Sequence, residues 1–172
     1  MRKELYITRD LEEVTIDLLS NAIKFKYPDL TPDNTLILMV SPDYSATVAM
    51  HVAHNLSQDG EMCDILPIHI PYPDEKDISK YKSKADRDVD DYFKFTDKEY
   101  TNYLLVEAGV IRGGTYTWLV ELLSKKLTGR IITAALFENR ESKFQSDVVA
   151  SYYSDSKQDL TFYFEEENKH WS

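Results

Sequence analysis

The sequence is poor in the features that mark several large protein classes. It contains one cysteine, Cys63, so the chain can form no internal disulfide and no zinc site built on four cysteines. No apolar run approaches the roughly 20 residues of a membrane-spanning helix. The first residues, MRKELY, lack the apolar core of a signal peptide. We therefore expect a soluble cytoplasmic protein in a reducing compartment, with no membrane partner.

Negative charge outnumbers positive charge. The 172 residues include 20 Lys and Arg against 30 Asp and Glu, which gives a formal net charge of −10. Non-specific binding to DNA, RNA or anionic lipid requires a basic surface. We therefore expect no nucleic-acid partner. The length fits one domain over 1–172 that can bury a core of ordinary size.

Apolar patterning predicts strands that alternate with helices. The predicted strands are 35–40, 63–70, 102–107, 130–137 and 160–164, and helices are predicted at 11–25, from about 45 to Gly60, and at 115–126. This order predicts an α/β fold of three layers, in which helices flank a mostly parallel sheet. The charged segment 71–101 is predicted as a mobile loop with room for a short helix. Residues 138–172 are predicted to form a hood-like tail that contains the last strand.

The helix predicted at 11–25 has a clear apolar periodicity. Thr8 or Asp10 is the expected N-cap, because short polar side chains accept hydrogen bonds from free N–H groups at a helix start. We expect the apolar positions to form one buried stripe, made of Leu11, Val14, Leu18, Leu19, Ala22, Ile23 and Phe25.

Glycine is rare, yet three of the five glycines fall within 109–114, between a predicted strand and a predicted helix. Such a turn leaves backbone N–H groups free at a helix start, where the helix dipole favours an anion. Arg112 is the only charged residue between Ala108 and Val120. An anion site and an ordinary tight turn both fit this pattern. The segment contains neither GxGxxG nor GxxxxGK[ST], so it gives no specific support to a dinucleotide or Walker-type site.

Residues 103–115, which read YLLVEAGVIRGGT, resemble the phosphoribosyl-pyrophosphate (PRPP) loop of type I phosphoribosyltransferases. In that family, four apolar strand residues precede two acids, two apolar positions, a variable pair and Gly-x-Thr at a helix start. The rest of the chain follows the family order: 41–44 stands at the place of the pyrophosphate loop, and 71–101 at the place of the mobile active-site loop. The tail is similar to that of the 6-oxopurine (xanthine, hypoxanthine, guanine) branch.

The resemblance implies transfer of a phosphoribosyl group from PRPP to a purine-type base, with magnesium as cofactor and a homodimer as the assembly. It implies that the glycine turn binds the 5′-phosphate, Glu107 binds ribose hydroxyls, and the earlier turn binds pyrophosphate. The implied phosphate and PRPP residues are Glu107, Gly109, Val110, Ile111, Arg112, Gly113, Gly114 and Thr115. The implied pyrophosphate residues are Ser41, Pro42, Asp43 and Tyr44.

Several positions depart from the family pattern. The second acid is Ala108, the position that often holds Asp is Ile111, the usual Thr is Arg112, and Ile132 aligns with a base-reading lysine. Each lost charged contact is worth roughly 1.5–3 kcal/mol. The alternatives to an active enzyme are a catalytically inactive nucleotide-binding or regulatory relative and a protein-interaction module. We expect a nucleoside monophosphate to bind at least as well as PRPP, with little dependence on magnesium, and Ala108→Asp to move affinity towards PRPP.

Overall fold

The computed structural model describes residues 3–40, 42–70, 78–154 and 158–162. The elements occur in the order β1 (Lys3–Ile7), α1 (Arg9–Lys26), β2 (Thr35–Val40), α2 (Pro42–Asn55), β3 (Asp64–Ile68), α3 (Ile78–Phe95), β4 (Asn102–Val110), α4 (Gly114–Lys126), β5 (Arg130–Asn139), β6 (Val148–Tyr153) and β7 (Gln158–Phe162). Among these described elements, no helix has the length and apolar character needed to cross a bilayer.

Five strands form one parallel sheet in the order β3-β2-β4-β5-β6. A sheet covered on both faces requires strands that are apolar at successive positions, and β2 is buried at five of its six residues. β1 and β7 pair in parallel in a separate two-stranded sheet. The predicted α/β fold with a mostly parallel sheet is confirmed.

Helices cover both faces of the large sheet. Successive strand side chains point to opposite faces, so Ile37 packs with α1 and α2, whereas Leu36 and Leu38 pack with α3 and α4. The first core lies between the sheet and helices α1 and α2 and includes buried Leu19. The second core lies between the sheet and helices α3 and α4 and includes buried Leu119. The sheet is therefore the middle of three layers.

The prediction of a mobile loop at 71–101 is wrong over most of its described part. Residues 78–95 form the 18-residue helix α3. Ala85 and Val89, one turn apart, are buried in the second core and hold the helix against the sheet. The many charged residues lie on the other sides of this helix, and their high proportion in the sequence led to the prediction of a loop. Residues 71–77 lie outside the described residues.

Two predicted boundaries near the candidate turns are also corrected. Helix α2 begins at Pro42, so 42–44 form its first turn and are not a separate loop, while Ser41 lies outside the described residues. The helix ends at Asn55, five residues before its predicted end at Gly60. Instead, Asp59 and Gly60 both have positive φ between the bridged residues Gln58 and Glu61, which is the pattern of a type I′ turn.

The predicted hood segment is divided between the two sheets. Residues 148–153 form β6, an edge strand of the main sheet that the sequence reasoning missed. The strand predicted at 160–164 is present as β7, and its partner is the equally unpredicted β1. Residues 155–157 and 163–172 lie outside the described residues.

The first helix is capped as predicted but does not bury the predicted stripe. The Leu11 N–H donates to Thr8 Oγ1 at 3.3 Å, which identifies Thr8 as the N-cap. The apolar residues buried beneath α1 are Ile16, Leu19 and Ile23. Leu11, Val14, Leu18 and Phe25 are exposed. The helix carries two apolar stripes, and the sequence pattern merged them into one.

Candidate functional site

The strand order creates a crevice between the carboxyl ends of β2 and β4. These two strands are neighbours, but α2 leads from β2 to β3 on one side, and α4 leads from β4 to β5 on the other. Ligands of open parallel sheets bind at such a point, where the connections diverge. Two segments predicted from sequence lie at this edge: 42–44, at the start of α2, and 111–113, between β4 and α4.

Ser45 joins the start of α2 directly to β4. Its Oγ accepts a hydrogen bond from the backbone N–H of Ala108 at 3.0 Å, and its hydroxyl donates to Glu107 Oε1 at 3.4 Å. Ser45 is fully buried in the first turn of α2. It therefore fixes the start of α2 against the end of β4. The sequence pattern did not indicate Ser45, because its two partners lie more than 60 residues further along the chain than Ser45 itself.

The glycine turn is shorter than predicted. β4 continues to Val110, so Gly109 and Val110 are strand residues, and α4 begins at Gly114. Gly113 is the N-cap in the left-handed region, with φ 75°, and it provides no side-chain cap. The first N–H groups of a helix have no partner within the helix. An uncapped, positively polarised helix end therefore stands at the crevice.

The rear of the turn is closed by the loop between β5 and β6. A Cβ on Gly113 would lie 2.6 Å from Ser142 Oγ and 2.7 Å from the backbone N of Phe144. The Lys143 N–H donates to the Arg112 carbonyl at 3.4 Å. This loop follows the carboxyl end of β5, the strand beside β4, and supports the turn from that side. The sequence pattern did not indicate it.

The front of the turn is open. A Cβ on Gly114 would have no heavy atom within 4 Å, and both Gly114 and Arg112 are exposed. Thr115 and Ile111 are half-buried. Below them, the Tyr116 hydroxyl donates to the Ala134 carbonyl at 2.8 Å, which anchors the helix start to β5. A ligand can therefore approach the start of α4 from this open side, where Arg112 is also exposed.

Glu107 is buried inside the protein, and its side chain is held by Ser45. Burial raises the pKa of Glu107 well above its usual range, and the hydrogen bond from Ser45 offsets only part of this rise. The raised pKa favours the neutral acid, because a charged carboxylate loses its hydration when buried. A neutral carboxyl group is a weak partner for a metal ion.

We expect the pKa of Glu107 to make stability fall as pH rises. The folded state holds the proton more tightly than the unfolded chain does, so the free energy of unfolding decreases from the unfolded pKa upward, by about 1.4 kcal/mol per unit of raised pKa. Glu107→Gln removes the ionisable group. Thermal melts between pH 5 and 9 should show that the melting temperature falls less with rising pH for the variant than for the wild type. Parallel plots of melting temperature against pH for the two proteins would contradict the raised pKa of Glu107.

Two of the four positions that depart from the family pattern, 108 and 132, are core positions. Ala108 is completely buried in the first core, between the sheet and the helices α1 and α2. Ile132 is also buried there, within β5 and seven residues before the end of the strand, so its assignment to a base-reading position is wrong. The carboxyl end of β5 is formed by Glu138 and Asn139.

The described residues do not fit a magnesium ion held by the protein. Within residues 3–40, 42–70, 78–154 and 158–162, no three His, Cys, Asp or Glu side chains are grouped to hold a metal. At the crevice itself, one acid is replaced by Ala108, and Glu107 favours its neutral form. We therefore assign no role to a metal at this site.

Solved structures with the same architecture have been found. A xanthine-guanine-hypoxanthine phosphoribosyltransferase from Helicobacter pylori has a TM-score of 0.61 at 12% identity, over 98% of this chain and 97% of that one. The fold is that of the purine phosphoribosyltransferases. A purine phosphoribosyltransferase from Pyrococcus horikoshii (TM-score 0.57, 14% identity, 92% of both chains) has the same fold. So does a hypoxanthine-guanine phosphoribosyltransferase from Bacillus anthracis (0.60, 14%, 90% of this chain and 86% of that one).

This chain thus has the phosphoribosyltransferase fold although it is only 12–14% identical in sequence to these three solved structures. No protein-family profile and no curated protein matches the chain. The fold expected from residues 103–115 and from the order of elements is confirmed, near the 6-oxopurine branch. The ligand roles implied for residues 107–115 and 41–44 remain predictions.

Proposed function

We propose that the protein binds a nucleoside 5′-monophosphate with a purine-type base and that the turn at 111–115 holds the 5′-phosphate. The observation that carries this proposal is the uncapped start of α4 at the crevice, with Gly114 and Arg112 exposed beside it. Backbone N–H groups at a helix start and a guanidinium are both strong partners for phosphate. The purine preference comes from the solved structures that share the fold.

The same geometry favours a monophosphate over PRPP. Ala108 is buried and Glu107 is bonded inward to Ser45, so neither position offers a charged acceptor to ribose hydroxyls. On the other side of the crevice, α2 begins with Pro42, which has no backbone N–H group to donate to a pyrophosphate. These features support binding of a nucleoside monophosphate without phosphoribosyl transfer and with little dependence on magnesium.

Phosphoribosyl transfer from PRPP to a purine-type base is the second candidate. Two matches to the family motif favour it. Glu107 stands at the position of the first acid, and the Gly-x-Thr of the phosphate turn is present as Gly113, Gly114 and Thr115. Release of pyrophosphate when PRPP and a purine base are supplied would establish this candidate over simple binding.

Arg112→Thr tests the phosphate assignment. We expect this change to weaken GMP binding by about 1.5–3 kcal/mol, or roughly 10- to 150-fold, because a charge-assisted contact is lost. Calorimetric titration measures the effect. Arg87→Thr, at an exposed position on α3, is the matched control and should leave affinity unchanged. Equal affinities of the wild type and Arg112→Thr would contradict the role of Arg112.

The cellular setting follows from simpler features. The single cysteine and the acidic net charge of −10 support a cytoplasmic protein without a nucleic-acid partner. A homodimer is proposed as well, on the resemblance to the phosphoribosyltransferases.

A further inference from the structure

Helix α1 exposes large apolar side chains along one side. Leu11, Val14, Leu18 and Phe25 are 47%, 58%, 56% and 90% exposed. Single exposed apolar residues are common, but four on one helix face form a patch of the kind that marks an interaction surface. We call these four residues the α1 stripe.

The spacing of the α1 stripe fits another helix. Positions 11, 14, 18 and 25 follow the a and d positions of a heptad, with the polar Asn21 at the remaining d position. A stripe limited to a and d positions is narrow, and a facing helix of the same pattern covers it. The opposite side of α1 is already packed on α2, β5 and β6, so the stripe points away from the core.

Charge along α1 selects the direction of the facing helix. The first half carries Asp10, Glu13 and Asp17, with Arg9 paired to Glu13 at 2.9 Å. The second half carries Lys24 and Lys26. Among the described residues, these lysines donate to main-chain carbonyls, of Asn55 at 3.1 Å and of Asp147 at 2.6 Å, so their positive charge is not neutralised there by an acid.

We propose that a second copy of this chain covers the α1 stripe, with the two α1 helices antiparallel about a two-fold axis near Leu18. An antiparallel pair places the basic end of each helix beside the acidic end of the other, whereas a parallel pair would align like charges. A two-fold axis requires a self-complementary surface, and an acidic-to-basic helix satisfies this requirement. The proposal deepens the homodimer suggested above by naming its surface, and it makes no use of the ligand.

Analytical ultracentrifugation of the full chain without ligand tests the proposal. We expect the wild type to dimerise. Leu18→Glu should raise the dimer dissociation constant at least about 100-fold, because each dimer loses two buried leucines and gains two acids. Phe95→Glu, at an 80% exposed position on α3, is the matched control and should still dimerise. A monomeric wild type at 100 µM, or equal effects of both variants, would overturn the proposal.

Cysteine cross-linking tests the direction of the pair. Leu18→Cys should form a disulfide with its own copy, whereas Leu11→Cys and Phe25→Cys should cross-link mainly with each other when mixed. The native Cys63 is buried and does not compete. Self-linking of both end variants would indicate a parallel pair and contradict the proposal. If deletion of residues 163–172 converts a monomer into a dimer, the tail covers the stripe in the native protein, and the proposal fails.

Discussion

Gly113→Val should destabilise the protein by about 2–6 kcal/mol and abolish phosphate binding. Gly113 has φ 75°, a conformation that β-branched residues avoid, and its Cβ position lies 2.6 Å from Ser142 Oγ. Backbone strain and overpacking each cost roughly 1–3 kcal/mol. The turn at 111–113 must move to accept the side chain, so the N–H groups at the start of α4 lose their common direction. Urea unfolding and titration with GMP measure the two effects.

Gly114→Ala is the matched control for this prediction. Gly114 follows immediately in the chain, it has no positive φ, and its Cβ position is open. Alanine is a better helix former than glycine by nearly 1 kcal/mol, so the variant should be as stable as the wild type or more so. A stable Gly113→Val protein that still binds GMP would show that the turn neither requires a left-handed residue nor depends on its contact with 142–144.

Ala108→Asp should cost about 3–5 kcal/mol of stability at neutral pH, because it places an unpaired carboxylate inside the first core. This expectation replaces the one drawn from the family motif, by which an acid at 108 would increase affinity for PRPP. The motif gives the residue type at each position, but not the surroundings of its side chain. In this chain, position 108 is completely buried.

Ala108→Asn separates the effect of charge from that of size, because its side chain has nearly the same shape and no ionisable group. The difference in unfolding free energy between the Asp and Asn variants should shrink at pH 4, where a buried Asp takes up a proton. A folded and stable Ala108→Asp protein at pH 8 that binds PRPP with magnesium would show that position 108 can still serve a PRPP site.

Much of the fold could be predicted because it depends on strong local patterns. Strand β2 was predicted with both of its ends correct, and residue type limited the N-cap of α1 to Thr8 or Asp10, of which Thr8 is the cap. Helix α3 was missed because its buried residues are few, and charged residues surround them. Strand β6 was missed because its membership in the sheet depends on pairing with β5, which no local pattern records.

The candidate site was predicted only in part, for a similar reason. The glycine run identified the start of α4, since glycine and a helix start are local features. The inward hydrogen bond of Glu107 depends on Ser45, 62 positions away, and the support of Gly113 depends on the loop 142–144. These long-range contacts determine whether the protein holds a charged acid at the crevice, and the sequence alone does not reveal them.

Calorimetric titration of the wild type with GMP and with PRPP, each with and without magnesium, tests the central claim most directly. We expect GMP to bind at least as tightly as PRPP and magnesium to change neither affinity by more than a few-fold, because the crevice has an uncapped helix start and Arg112 but no charged pair of acids. Tight PRPP binding that requires magnesium, together with release of pyrophosphate when a purine base is added, would contradict it.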